Sequence, residues 1–86
     1  MPRISQFYGI IITMYYKDHQ PPHFHARYAE YKAEYTITKR DLIAGDLPRR
    51  AAALVLEWAA LHEDELIDNW ERSRQQAPLE PIAPLE

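Results

Sequence analysis

The sequence predicts an α+β fold in which a three-stranded antiparallel β-meander packs on one face against a long C-terminal helix. Two observations predict it. From residue 5 to residue 38 the chain is rich in aromatic and β-branched residues, and residues 31–38 alternate between apolar and polar side chains. From residue 47 to residue 76 the apolar residues recur with the period of a helix.

Turn-forming residues separate the expected strands. The apolar segment Phe7–Tyr16 belongs to the first strand, and the segment Lys17–Pro22, which contains two prolines, ends it. The second and third strands are expected to form a hairpin with Glu30 and Tyr31 as its two-residue loop. The strands are therefore placed at about 5–16, 23–30 and 31–38.

That loop also sets the register of the hairpin, because side chains alternate between the two faces of a strand. Phe24 would then lie opposite Ile37 on the apolar face, which packs against the helix. On the opposite, open face the expected pairs are His23 with Thr38, His25 with Thr36, and Arg27 with Glu34.

The helix is expected at about 47–76, with Asp46 as its N-cap and Pro48 in the first turn. A helix of this length overhangs a small sheet or breaks. The candidate break lies near His62, but the apolar period continues through it and favours one long helix.

Residues 51–61 of this helix are apolar on nearly every side, so the helix needs cover on two sides and the sheet supplies only one. A homo-oligomer or a partner chain is the expected second cover. A single domain at 1–77 is followed by an extended, Pro-rich tail at 78–86. The tail residues that are candidates for the partner contact are Leu79, Ile82 and Leu85.

Composition excludes several classes of site. The chain has no cysteine, so disulfides, thiolate zinc sites and cysteine nucleophiles are excluded. The first residues do not read as a secretion signal, and the longest apolar run is far shorter than the ~20 residues of a membrane helix, so a cytoplasmic protein is expected. A net charge of −3 argues against general affinity for nucleic acid, which would require a local patch of positive charge.

The histidines of the segment 19–25 are the main candidates for chemistry. His23 and His25, two residues apart on a strand, project from the same side, and His19 in the adjacent turn could fold over them. The three imidazoles would suit zinc, copper or nickel. We nevertheless expect no tightly bound metal, because His19 lies in a turn and no carboxylate is obviously placed to complete the shell.

Two other interpretations of the same residues stay open. Without metal, His23 and His25 would serve as general acid and base, with Arg27 stabilising a phosphorane and Tyr15 orienting it, which fits phosphodiester cleavage. In a purely structural role, the histidines would donate hydrogen bonds that fasten the long turn.

Four segments together resemble the small bacterial family known as domain of unknown function 4160. They are Pro21–Ala26, Gly45–Ala51, Leu54–Trp58 and Asn69–Trp70. The resemblance implies no activity, since the family has none established. It does imply a partner, because similar members are often encoded beside a small protein of the domain of unknown function 2442 family, in an arrangement similar to toxin–antitoxin pairs.

The expected function is therefore that of a small cytoplasmic bacterial binding protein, one component of a toxin–antitoxin-like pair that acts through protein–protein association. The alternative is a small ribonuclease or metal-dependent hydrolase that uses His23 and His25.

Overall fold

The computed structural model, which describes residues 2–86, has an α+β fold with one antiparallel sheet and two helices. The sheet contains five strands in the order β1-β2-β3-β4-β5, so each strand pairs with its neighbour in sequence. The elements are β1 (Arg3–Phe7), β2 (Ile10–Thr13), β3 (His23–Tyr28), β4 (Tyr31–Thr36), β5 (Leu42–Gly45), α1 (Arg49–Leu61) and α2 (Glu63–Arg74). The α+β prediction is confirmed, but the prediction of three strands is wrong.

The predicted first strand at 5–16 is in fact the hairpin β1–β2. Tyr8 and Gly9 form its two-residue turn, and both have positive φ angles, +49° and +78°. Two consecutive positive φ angles are what a tight hairpin turn of the primed type requires. The apolar run therefore reverses at Gly9 instead of continuing as one strand.

The β3–β4 hairpin turns at Ala29 and Glu30, one residue earlier than expected, and Ala29 adopts a φ of +53°. The register consequently differs by two residues from the prediction. The observed pairs on the open face are His23 with Thr36, His25 with Glu34, and Arg27 with Lys32. Because the difference is two residues, every side chain keeps its predicted face while its neighbour changes.

Strand β5 lies in the segment 39–46, to which the sequence assigned neither strand nor helix, yet it pairs with β4 and forms one edge of the sheet. Gly45 permits this pairing, since its φ is +70° and a Cβ there would lie 2.0 Å from the carbonyl oxygen of Lys32. The four residues of β5, Leu-Ile-Ala-Gly, are all exposed and contain no polar residue, so the segment lacks the alternation that identifies a half-buried strand from sequence.

The prediction of a single long helix at 47–76 is also wrong, because the helix is interrupted at His62, whose φ is −120° and ψ is 28°. The break lies at the position that the sequence offered as the candidate. Three acidic residues then occupy the first turn of α2, where they interact favourably with the helix dipole. The N-cap of α1 is Pro48 rather than Asp46, and Pro48 forms no side-chain capping hydrogen bond.

The core lies between the apolar face of the sheet and the two helices. Trp58 is fully buried, with its ring centroid 5.3 Å from that of Phe7 and 6.0 Å from that of Phe24. Val55 and Ile37 are fully buried in the same cluster, so the predicted contact between the helix and the apolar face is confirmed.

The Pro-rich tail packs against the domain. Ile82 is buried, and its N–H donates a 2.7 Å hydrogen bond to the carbonyl of Ile4. The indole N–H of Trp58 donates to the carbonyl of Ala83, and the buried side chain of Asn69 both donates to and accepts from the backbone of Glu80. The tail therefore supplies part of the second cover that we expected from a partner chain.

In the described part of the chain, neither helix combines the length and the apolar character that crossing a lipid bilayer would demand.

Candidate functional site

The predicted histidine cluster forms where β3 begins, beside the turn that precedes it. His23 and His25 lie on β3 and project from the same side, as the period of a strand requires. The turn brings back Asp18 and His19, and the neighbouring strand β4 contributes Glu34 directly opposite His25. Five side chains with metal-ligating atoms therefore meet in one place.

Asp18 is at the centre of the cluster. Its Oδ2 atom lies 2.9 Å from Nε2 of His25 and 3.1 Å from Nε2 of His23. Burial of Asp18 acts to raise its pKa, but hydrogen bonds from His25 and from the backbone N–H of His19, with the positive potential of the histidines, outweigh burial and lower the pKa. Asp18 is therefore an ionised carboxylate at neutral pH.

Glu34 approaches the same histidines from the other strand. Its Oε1 atom lies 3.5 Å from Nε2 of His23 and 3.8 Å from Nε2 of His19, and its Oε2 atom lies 3.9 Å from Nδ1 of His25. Two overlapping triads of potential ligands result, and they share His23. The triads are Asp18–His23–His25 and His19–His23–Glu34.

His23 is fully buried, and its ring centroid lies 5.4 Å from that of Trp70 in α2. Its Nδ1 atom lies 2.7 Å from the carbonyl oxygen of Pro21. Because a carbonyl only accepts hydrogen bonds, Nδ1 carries a proton, and Nε2 of the same ring faces the carboxylate oxygens of Asp18 and Glu34. Nε2 and the two carboxylates would repel one another without a positive centre between them, so a proton or a cation is required at this point.

The remaining predicted residues extend from the cluster along the open face. The ring of Tyr15 meets that of His25 edge-on at 4.5 Å, so these two predicted residues are brought together. Arg27 is exposed two residues further along β3, opposite Lys32. Tyr15, His25, Arg27, Lys32 and Glu34 all line one cleft of about 320 Å³.

Two features of the cluster differ from prediction. His23 does not lie on an open surface, because α2 packs over the start of β3 and buries it. The carboxylates that we expected to be missing are present as Asp18 and Glu34. Asp18 could have been found from the sequence, because it directly precedes His19 in the same turn. Glu34 was predicted to pair with Arg27 instead of His25, because the predicted register differs from the observed one by two residues.

The comparisons with known proteins give one result. A family model described as Domain of unknown function (DUF4160) matches residues 9–71. This range includes every residue of the histidine and carboxylate cluster and both strands that carry it. No curated protein and no solved structure matches the chain.

Proposed function

The chain belongs to the family described as Domain of unknown function (DUF4160), and we propose that it is a metal-dependent hydrolase. Its metal ion is a divalent first-row ion, with zinc the best fit, held by His23, His25 and Asp18. Glu34 and His19 lie on the other side of His23 and complete the shell or position the water that is activated. The observation that carries this proposal is the placement of the buried His23 ring, whose Nδ1 is bonded to the carbonyl of Pro21 and whose Nε2 faces Asp18 and Glu34.

The contacts of His23 are those of a metal ligand. In protein metal sites a ligating histidine donates its other ring N–H to a carbonyl or a carboxylate, which fixes the tautomer. The bond from Nδ1 to the carbonyl of Pro21 does this for His23 and leaves Nε2 available to a metal ion. A divalent cation at this point would also compensate the charge of Asp18 and Glu34, whose oxygens lie 3.1 and 3.5 Å from Nε2 of His23.

The spacing of the ligand atoms supports the same proposal. A tetrahedral ion with bonds of ~2.0–2.1 Å separates its ligand atoms by ~3.3 Å. The distances from Asp18 to His25 and His23 are 2.9 and 3.1 Å, and that from Glu34 to His23 is 3.5 Å. Within the triad both Asp18 distances are slightly shorter than this separation, and its three ligand atoms lie within 4.8 Å of one another, so small side-chain movements would admit an ion.

The chemistry follows from the ligand set. Three protein ligands on a tetrahedral ion leave a fourth position for water, whose pKa falls to about 7 when the ion is zinc. A carboxylate next to that water would accept its proton, and we assign this role to Glu34, which is half-buried and lies 3.5 Å from Nε2 of His23.

The test begins with protein purified without an affinity tag. Metal content is measured directly, and the metal-free protein obtained with EDTA is then titrated with zinc, manganese and nickel while thermal unfolding is followed. Binding at ~100 times Kd stabilises a protein by ~2.7 kcal/mol, which raises the Tm of a domain of this size by ~10–20 °C. Hydrolysis of bis(p-nitrophenyl) phosphate and of p-nitrophenyl acetate by the loaded protein is measured in parallel.

Matched variants separate the site from general charge effects. Asp18→Asn with Glu34→Gln removes two carboxylates from the site and should abolish the shift in Tm and the hydrolysis. Glu30→Gln with Asp64→Asn changes the net charge equally at exposed positions and should retain both. If none of the ions raises the Tm of the wild-type protein, the proposal is wrong and the cluster only fastens the turn.

A second candidate function is association with a partner, as one component of a cytoplasmic, bacterial toxin–antitoxin-like pair. The observation that favours it is the edge strand β5, in which Leu42 and Ile43 are 48% and 40% exposed. No other strand among residues 2–86 pairs with the outer edge of β5. An exposed apolar edge is a template for an added strand from another chain.

The expected occupant is a small protein of the domain of unknown function 2442 family, on the strength of the resemblance described above. Co-expression followed by co-purification tests this proposal, with Ile43→Lys as the variant that should disrupt the complex and Ile67→Lys as the control at an exposed apolar position of α2. A homo-oligomer in light scattering that Ile43→Lys dissociates would instead identify a second copy as the occupant. Equal effects of the two variants would contradict a role for β5.

A further inference from the structure

The open face of the sheet carries a pair of like charges that does not favour folding. Arg27 on β3 lies directly opposite Lys32 on β4, and both side chains are exposed. Like charges opposite one another on paired strands are destabilising. Residues that weaken the fold in this way are expected where a ligand compensates for them.

A third cation lies on the same face. Arg3 on β1 pairs with Thr13 on β2, lines the same cleft, and donates a hydrogen bond from Nη1 to the side chain of Gln6. Among the described residues, the arginines that form ion pairs with carboxylates are Arg40 and Arg72, and none of the three cations of the cleft does so. With three cations and one carboxylate, Glu34, among its lining residues, the cleft has an excess of positive charge although the chain as a whole carries −3.

Two residues of the proposed metal site, His25 and Glu34, line the same cleft as the cations. His25 and Arg27 lie two residues apart on β3 and face the same side, which separates their Cα atoms by ~7 Å. We infer that the cleft of Arg3, Arg27 and Lys32 binds the phosphodiester backbone of a single-stranded nucleic acid and presents one phosphate to the metal site. This inference rests on the proposed function and names its class of substrate.

The shape of the patch favours a single-stranded nucleic acid over an isolated phosphate group. The three cations lie on β1, β3 and β4, so the patch extends over three strand spacings, or ~14 Å. Several linked phosphates would match this extended row of positive charges. The half-buried ring of Tyr15 at the same cleft offers a surface on which a base can stack.

The reaction is hydrolysis of one phosphodiester bond. The oxygen of the activated water forms a bond to phosphorus, and the bond from phosphorus to one ester oxygen breaks. One proton of the water passes through Glu34 to the leaving oxygen, which departs as an alcohol, and the other stays on the new phosphate oxygen until it ionises. The products are a phosphate monoester and a hydroxyl group, and no electron transfer is involved.

Binding is tested on the metal-free protein in EDTA, so that it does not depend on the metal site. The probes are fluorescein-labelled oligouridine and oligothymidine of ~12 nucleotides, followed by fluorescence anisotropy. If three cations contact phosphates of a single-stranded nucleic acid, the logarithm of the association constant falls with the logarithm of the salt concentration with a slope of about −2.1. Kd then rises ~20-fold between ~50 and ~200 mM salt.

Two double variants with equal changes of charge decide the location of binding. Arg27→Gln with Lys32→Gln should leave one phosphate contact, so that Kd rises only ~3-fold over the same range of salt. Arg49→Gln with Arg50→Gln, at exposed positions at the start of α1, should retain the ~20-fold dependence. Equal changes in the two variants, or no binding of either probe at low salt, would overturn the inference.

A cleavage assay on the metal-loaded protein completes the test and separates nucleic-acid binding from metal-dependent hydrolysis. Cleavage of RNA, DNA or both identifies the substrate. The double variant Asp18→Asn with Glu34→Gln should bind the oligonucleotide without cleaving it. Zinc binding without nucleic-acid binding would overturn this inference and leave the proposed metal site standing. Salt-dependent binding through Arg27 and Lys32 without metal binding would support the cleft and overturn the hydrolase.

Discussion

Replacing Ile82 by alanine tests whether the Pro-rich tail is part of the folded domain. The side chain of Ile82 is 4% exposed and belongs to the core cluster, and its backbone N–H is bonded to β1. A tail used mainly for partner contacts would tolerate this change, because the loss would affect association more than folding.

The expected loss of stability is large for a chain of this length. Truncating a buried isoleucine to alanine costs about 2–5 kcal/mol, since the transfer energy of the removed atoms is lost and a cavity remains. A domain of 86 residues is stable by ~4–13 kcal/mol. We therefore expect Ile82→Ala to remove a substantial part of the stability and to lower the Tm by at least ~8 °C.

Urea unfolding followed by the fluorescence of the two tryptophans measures the effect. The control is Leu61→Ala, because Leu61 is 67% exposed and its truncation should change the free energy of unfolding by less than ~0.5 kcal/mol. If the two variants have the same urea midpoint, the tail does not contribute to the core and the reasoning from burial is refuted.

Three further changes test other parts of the fold. Trp58→Ala should cost about 3–5 kcal/mol, because Trp58 is fully buried at the centre of the aromatic cluster, and an unchanged urea midpoint would contradict this placement. Gly45→Ala should cost more than ~1 kcal/mol and should increase hydrogen exchange in β5, because its Cβ would collide with the carbonyl of Lys32; protection equal to that of the wild type would be inconsistent with the pairing of β4 and β5. His23→Ala should lower the Tm more than His25→Ala in metal-free protein, since only His23 is fully buried, and the reverse order in a thermal melt would show that His23 is not covered by α2.

Local patterns in the sequence determine which residues face the core. The alternation of residues 31–38 and the helical period of residues 51–61 place Tyr35, Val55 and Trp58 in the buried cluster, and the structure confirms this. The spacing of His23 and His25 likewise places both rings on one side of β3. A period of two or of 3.6 depends only on the local backbone, so it can be read before the fold is known.

Tertiary structure decides which elements become neighbours. The number of strands depends on Gly9 and on the pairing of an exposed β5, and neither follows from the apolar pattern. The sequence identified the histidines of the site but not its carboxylates. Asp18 joins them through the path of a turn, and Glu34 through a register that the position of the Ala29–Glu30 turn sets.

The burial of His23 and of the tail depends on contacts between residues far apart in the chain. Trp70 covers His23 from α2, and Ile82 reaches β1 from the other end of the chain. Such contacts have no local signature, because their free energy arises only when distant segments have been brought together. The sequence by itself therefore determined the faces of the elements and the candidate ligands on β3, whereas packing between distant elements decided which ligands meet and which surfaces are covered.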